Sequence, residues 1–249
     1  MKFREIYSFE IWYQLRRPTT WLYFLAILGL ICMTVDEMVE YARTVNPVLL
    51  NAPITVAAIT GYANKFGLLL IAALAGDGAM RDIHARMDPL LYTTSIRKAT
   101  YLGARFLGSV SAAAVLMSLA VPAGLSLAAF TMSIETELLG PLLPGAYINS
   151  ALFLTLPNVF IATTIMYASA LLLRHSMAAY LGGFIIFILS TFNLEMAAGN
   201  WKLAELIDPS GITIIDEISS TLTPVELNTK LVALKGYLLA NRVLWVAIS

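Results

Sequence analysis

The amino-acid sequence predicts an all-α fold: a polytopic helical membrane protein with about six transmembrane helices, the last truncated, and an interfacial helix at the N-terminus. The mean hydropathy is +0.76, and 59% of the 249 residues are hydrophobic. Only 13% are charged, whereas about 25% is usual in soluble domains. Long apolar runs recur along the chain, and helices satisfy their own backbone hydrogen bonds in lipid.

Residues 1–17 are predicted to form a helix along the membrane surface. They mix aromatic residues, which favour the interface, with basic residues, which favour anionic headgroups. Glu10 and Arg17 interrupt the apolar side of this helix, so a cytoplasmic extension of the first span is the alternative. Pro18 then marks the entry into the membrane, because proline fits the first position of a helix.

Five apolar runs approach the length of about 20 residues that crosses a bilayer. The predicted spans are residues 18–35, 54–76, 106–130, 150–173 and 177–193. The last apolar run, 236–249, has only 14 residues and is interrupted by Asn241 and Arg242. It is interpreted as the start of a sixth span, which predicts that the chain is a fragment of a longer protein.

The distribution of basic residues predicts the orientation, because cytoplasmic loops carry an excess of Lys and Arg. With the N-terminus inside, ten basic residues lie on the cytoplasmic side: Lys2, Arg4, Arg16, Arg17, Arg81, Arg86, Arg97, Lys98, Arg105 and Arg174. Five lie outside: Arg43, Lys202, Lys230, Lys235 and Arg242. The N-terminus is therefore predicted to be cytoplasmic.

The polar stretch at residues 194–235 is predicted to be a structured excursion on the outer side. Asp208-Pro209-Ser210-Gly211 is a turn signal. Thr223-Pro224-Val225-Glu226 predicts a capping box, in which Thr223 caps the helix and Glu226 reaches back. The helix is expected to run to about Lys235.

A dense charged block, residues 76–98, lies between the second and third predicted spans. Such a segment cannot lie in lipid, so it is expected to be a cytoplasmic loop that a soluble partner can bind. A short helix from Asp77 to Asp88, ended by Pro89, is predicted within it. The alternative is a solvated loop whose charges only set the topology.

Lys65 is the one charge deep in a predicted span. Burying an ionised side chain in a bilayer costs about 2.5–3.5 kcal/mol on insertion scales. If the helix began near Thr60, Lys65 could extend to the outer interface, but only about 11 residues would then remain to span. A position facing the bundle interior or an external vestibule is therefore favoured.

Motifs of catalysis and cofactor binding are missing from the sequence. There is no phosphate-binding loop of the Gly-x-x-x-x-Gly-Lys-Ser/Thr type and no His-Glu-x-x-His. The lone Cys32 and the two histidines, His84 and His175, give no zinc-site pattern. The net charge of zero gives no support for nucleic-acid binding. Enzymatic activity, a metal site and a cofactor are therefore not expected in these residues.

The order of several short motifs resembles a known family. They are Phe9-Glu10, Leu15-Arg16-Arg17-Pro18, Asn51-Ala52-Pro53, Arg81-Asp82, Asp88-Pro89-Leu90-Leu91-Tyr92-Thr93-Thr94, Tyr101-Leu102-Gly103-Ala104-Arg105-Phe106-Leu107-Gly108, Asp208-Pro209, Glu226-Leu227-Asn228 and Asn241-Arg242-Val243-Leu244-Trp245. The chain resembles the permease subunit of type-2 (exporter-class) ABC transporters, in the large subfamily whose longer members add a C-terminal metallo-aminopeptidase-like domain. Ser95 and Ser210 depart from the usual proline and aromatic residue of that family.

The resemblance implies a multi-pass protein of the plasma (bacterial inner) membrane, surrounded by lipid. It implies a homodimer or heterodimer of permease subunits, coupled to a separate ABC ATP-binding subunit that hydrolyses ATP. The docking surface would be the N-terminal helix and the loop after span two. The expected coupling residues in that loop are Arg81, Asp82, Arg86, Asp88, Arg97 and Lys98.

Two other functions stay open. The chain could be a non-transporting membrane anchor for a C-terminal domain beyond residue 249. It could also be a secondary transporter, with Lys65 as an ion-coupled site.

Overall fold

Helices make up the frame of the protein in a computed structural model that describes residues 2–44, 48–87, 93 and 96–249. In chain order they are α1 (Lys2–Arg16), α2 (Pro18–Thr44), α3 (Pro53–Phe66), α4 (Leu68–His84), α5 (Lys98–Thr131), α6 (Thr136–Leu139), α7 (Pro144–Ser150), a π-helical turn (Ala151–Thr155), α8 (Leu156–Leu173), α9 (Met177–Thr191), α10 (Asn193–Met196), α11 (Trp201–Ile207), α12 (Ile212–Thr221), α13 (Pro224–Thr229) and α14 (Gly236–Ile248). No strand occurs in these ranges. The predicted all-α membrane class is confirmed.

Three helical segments among the described residues are long and apolar enough to cross a membrane: Pro18–Glu40 within α2, α5, and the continuous stretch Pro144–Leu173. The α3–α4 pair passes the same test as one bent unit. The apolar helices α9 and α14 have only 15 and 13 residues. By length the described residues therefore hold three or four spans, against the six or so predicted.

Proline begins several helices, and left-handed residues end others. Pro18, Pro53, Pro144 and Pro224 each occupy the first helical position, where the missing N–H costs nothing. At the other end of a helix, Gly140 has φ +67° and follows α6. Arg174 has φ +51° and turns the chain from α8 into α9. These local signals explain why the spans fold back as hairpins.

The bundle is built around α5, which packs against α1, α2, α4 and α8. Its small residues allow close approach: a Cβ added at Gly124 would lie 2.6 Å from Ile31 Cγ2 on α2. Ala112 and Ala113 are fully buried, and Ser111 Oγ lies 2.8 Å from the Tyr7 hydroxyl. These small residues of α5 therefore serve packing within the chain.

The excursion at residues 194–235 has its own hydrophobic cluster. Ile214 and Ile215 of α12 and Leu227 of α13 are buried against Ile54 at the start of α3. The predicted capping box is confirmed: Thr223 accepts from the Glu226 backbone N–H, and the Glu226 carboxylate accepts from the Thr223 N–H. The backbone N–H and then the hydroxyl of Thr223, which both donate to the Glu226 carboxylate, lower the pKa of Glu226. The excursion is a folded cap and not a linker.

The second predicted span is wrong as a single helix. The chain breaks at Gly67 into α3 and α4, which are bent by 48°. Met117 of α5 packs directly against the break, and a Cβ at residue 67 would lie 2.7 Å from its Sδ. The glycine therefore makes room for a neighbouring helix, which the apolar run at 54–76 did not reveal.

Several other predicted boundaries are also corrected. The first span is predicted to end at residue 35, but its helix continues to Thr44, since Glu37 and Glu40 still favour helix although they are polar. The third helix begins at Lys98, before the predicted residue 106, and the fourth at Pro144, before 150. The fifth ends at Thr191 instead of 193. The helix after the capping box ends at Thr229, well before Lys235.

The separate helix predicted from Asp77 to Asp88 is wrong as well. Residues 77–84 are the last two turns of α4. The α4 helix can extend beyond its apolar part because its charged residues pair with side chains on other helices. Asp88 lies outside the described residues.

Candidate functional site

Six charged side chains meet at one end of the bundle. We call them the charge cluster: Glu10, Arg17, Asp77, Arg81, Asp82 and Arg105. Three are acidic and three are basic, so the formal charges cancel. They come from α1, α4, α5 and the junction of α1 with α2. The charge cluster therefore joins three helices that are far apart in the sequence.

Glu10 lies at its centre and is only 1% exposed. Its Oε1 accepts from Arg81 Nη2 at 2.6 Å and from Gln14 Nε2 at 2.8 Å. Its Oε2 accepts from Arg81 Nη1 at 3.2 Å and lies 3.4 Å from Arg105 Nε. Two guanidinium groups thus neutralise one buried carboxylate, in the geometry that gives the strongest charge-assisted hydrogen bonds.

Two further acids complete the pairing of these arginines. Asp77 Oδ2 accepts from Arg81 Nε at 2.9 Å, and Asp77 Oδ1 lies 2.6 Å from Arg17 Nη1. Asp82 pairs with Arg105 Nη1, which also donates to the Tyr101 hydroxyl at 2.6 Å. Each pair adds a contact between different helices or between successive turns of one helix.

Helical spacing explains why the sequence builds this cluster. Glu10 and Gln14, and likewise Asp77 and Arg81, lie four residues apart and so share a helix face. Gly108 of α5 lets α1 approach, since a Cβ there would lie 2.6 Å from Glu10 Cβ. A larger residue at position 108 would push Glu10 away from both arginines.

The opposite face of α1 is aromatic. Phe9 and Trp12 are 63% and 58% exposed, and the Arg16 guanidinium lies 5.3 Å from the Trp12 ring. The helix is separate from α2 and packs mainly along α5, so it is not a straight extension of the first span. An exposed aromatic and basic face with a buried polar face suits a helix at a membrane surface.

The structure describes five of the six predicted coupling residues and separates these five into two groups. Arg81 and Asp82 belong to the charge cluster, where they bind other helices of the same chain. Arg86 is exposed and left-handed, with φ +55°. Arg97 and Lys98 are exposed at the start of α5. Asp88 is not among the described residues, so the structure gives no position for it.

The central roles of Glu10 and Arg105 were not predicted from the sequence. In the sequence, Glu10 interrupts an apolar helix face, Arg105 counts toward the orientation, and both belong to motifs of the family resemblance, but neither was given a role in a site. An acid on such a face is itself the signal, because a buried carboxylate requires a partner. Finding that partner 71 residues away, at Arg81, required the fold.

Lys65 lies near the break between α3 and α4, two residues before Gly67. It is partly buried, its Nζ donates to the Ser190 carbonyl at 3.4 Å, and it lies 5.3 Å from the Phe187 ring centroid. It lines a cavity of about 20 Å³, which has room for one water molecule. Since α3 already begins at Pro53, a helix starting at Thr60 is wrong.

A second polar cluster joins the excursion to α8 and α14. The Asp208 carboxylate accepts from the N–H and hydroxyl groups of Ser210 and Thr213, at 2.6 to 3.0 Å. The Asn241 amide donates to the carbonyls of Glu205 and Asp208 at 2.7 and 2.8 Å. Arg242 donates to Asn158. We call this group the Asp208 cluster.

The two clusters lie at opposite ends of the bundle. Ser176, in the turn between α8 and α9, packs on Gly76 beside the charge cluster. Asn158 and Ser190, which contact the Asp208 cluster, are 18 and 14 residues away along α8 and α9. These spacings correspond to about 20 Å or more of helix. The sequence predicted a turn at Asp208 and a break in an apolar run at Arg242, and both residues lie in motifs of the resemblance, but a shared polar cluster was not predicted.

Comparisons with known proteins identify no relative of this chain. The chain matches no protein-family model, no curated protein and no solved structure. A functional assignment therefore rests on the membrane-embedded helical fold and on the geometry of the two clusters.

Proposed function

We propose that this protein is the membrane-spanning permease subunit of an ATP-driven ABC exporter of the type-2 class. It would dimerise in the membrane and couple to a separate ATP-binding subunit through the loop after α4. The observation that carries this proposal is the charge cluster, which ties the surface helix α1 to the ends of α4 and α5.

This arrangement suits the transmission of movement from a soluble partner. Residues 85–97 connect α4 to α5 along the chain. Through Glu10, the same two helices hold α1. A partner that displaced the loop would move α1, α4 and α5 together, as in rigid-body switching between two states of a bundle.

The accessible residues around the loop have the mixed chemistry of a docking face. Ile83 and Met87 are 39% and 49% exposed, and the basic residues Arg86 and Arg97, which flank the same segment in the sequence, are also exposed. An apolar centre with a charged rim is the usual composition of a protein interface. The complementary surface on the ATP-binding subunit would be acidic.

Co-purification tests this proposal. Reversing Arg86 and Arg97 to Glu should lower the amount of ATP-binding protein recovered with the detergent-extracted protein by about tenfold, since unlike charges across an interface become like charges. Arg81 is unsuitable for this test, because its reversal would disrupt the charge cluster itself. The matched control reverses Lys202 and Lys235, which are also exposed, on the excursion.

Two results would contradict the proposal. One is a native complex of the wild-type protein that contains no ATP-binding protein, which would instead favour the anchor function. The other is unchanged recovery of the ATP-binding protein with the Arg86→Glu/Arg97→Glu variant, which would leave the loop as a topology signal only.

A further inference from the structure

A cavity of about 390 Å³ lies between the membrane helices and the excursion. Its walls come from α2, α3, α12 and α13, and they include Met38, Ile54, Ala58, Tyr62, Asp216 and Leu227. The volume falls in the range of small-molecule sites, about 300–1,000 Å³. The cavity is distinct from both the charge cluster and the docking face.

Most of the lining is apolar, and two of its four polar side chains are already satisfied. Thr55 Oγ1 donates to the Leu49 carbonyl at 2.8 Å, and Ser219 Oγ donates to the Asp216 carbonyl at 2.7 Å. In the part of the chain that the structure describes, the Tyr62 hydroxyl and the Asp216 carboxylate have no hydrogen-bond partner. These two groups are available to a ligand.

The electrostatics of the cavity are negative. Tyr62 is within electrostatic reach of both Asp216 and Glu37. None of the described lining residues is basic. Desolvation and then the charge of Asp208 raise the pKa of Asp216, so a nearby positive charge would relieve an unfavourable carboxylate. The ring of Tyr62 offers a second favourable contact for a cation.

We propose that this cavity binds an amphipathic organic cation, such as a quaternary ammonium or phosphonium carrying apolar groups. The apolar groups contact Met38, Ile54 and Leu227, while the charged centre lies between Tyr62 and Asp216. An anion of the same shape is excluded by the charge of Asp216. The site requires neither ATP nor a partner subunit, so it goes beyond the proposed permease function.

The test is equilibrium dialysis of radiolabelled tetraphenylphosphonium against the full chain in phosphatidylcholine nanodiscs, with empty nanodiscs as background. We expect saturable binding that tetraphenylborate, of the same shape and opposite charge, does not share. Asp216→Asn should weaken phosphonium binding about tenfold, the effect of one ionic contact. Ala58→Trp, which fills the cavity without changing charge, should abolish saturation.

Glu217→Gln is the matched control, because it removes a neighbouring carboxylate that lines a different cavity. Its phosphonium affinity should equal that of the wild type. Equal binding of the phosphonium and the borate by the wild type would overturn the proposal, and this comparison needs no variant to fold. So would unchanged affinity in both Asp216→Asn and Ala58→Trp. Because no ATP-binding protein is present, failure here is independent of the coupling experiment.

Discussion

The charge cluster and the Asp208 cluster bury similar polar chemistry by different means. In the charge cluster, long side chains of opposite sign reach between helices, and Glu10 is held by arginines from α4 and α5. In the Asp208 cluster, a carboxylate and an amide bind mainly backbone groups and short hydroxyls nearby. One cluster fixes helices against each other, and the other fixes the path of a folded loop.

This difference predicts which part of the molecule each cluster stabilises. Buried ion pairs contribute little net stability, because desolvation offsets the attraction, but removing one partner leaves a buried charge uncompensated. Hydrogen bonds to the backbone act locally, so their loss should loosen the segment that they hold. Substitutions in the two clusters should therefore disturb opposite ends of the molecule.

The largest effect is expected from Glu10→Gln. It removes the negative charge between Arg81 and Arg105, which should lower the free energy of unfolding by about 3–5 kcal/mol. Hydrogen exchange in detergent should become faster in residues 2–16, while residues 201–221 stay protected. The control is Glu5→Gln, on the exposed face of the same helix. Equal exchange of α1 in both variants would contradict the central role of Glu10.

A smaller effect is expected from Asp208→Asn. The Asn side chain has only one accepting oxygen, and its N–H groups face the donors of Ser210 or Thr213. The free energy of unfolding should therefore fall by about 2 kcal/mol. Exchange should now increase in residues 201–221 and not in 2–16. Glu195→Gln, an exposed position in the excursion, is the control. Loosening of α1 would mean that the two ends are not independent.

The smallest effect concerns pH. Partial desolvation and then the charge of Asp208 raise the pKa of Asp216 above its ordinary value of 3.8, so the folded protein binds this proton more tightly than the unfolded chain. Stability from this group is complete below the ordinary pKa and is lost as pH rises through the raised value. Thermal unfolding in detergent from about pH 4 to about pH 7 should show this decline in the wild type and less of it in Asp216→Asn. Identical pH profiles in the wild type and in Asp216→Asn would exclude this contribution of Asp216.

The features that could be predicted from the sequence are those whose interacting residues lie close together along the chain. The capping box at Thr223 and Glu226 and the prolines at helix starts are local, so they were predictable. The apolar runs identified the three long membrane helices, because lipid selects composition directly. The break at Gly67 depends on Met117, and the burial of Glu10 depends on Arg81 and Arg105. No local pattern contains those pairings.

The bend at Gly67 has a mechanical consequence. The α3 half packs with the excursion helices α12 and α13, whereas the α4 half packs with α5, α8 and α9 and ends in the charge cluster. A straight helix would carry an axial push unchanged from one membrane face to the other. Because the bend lies against Met117 of α5, we expect the segment to convert a push along α4 into a sideways displacement of α3 beneath the excursion.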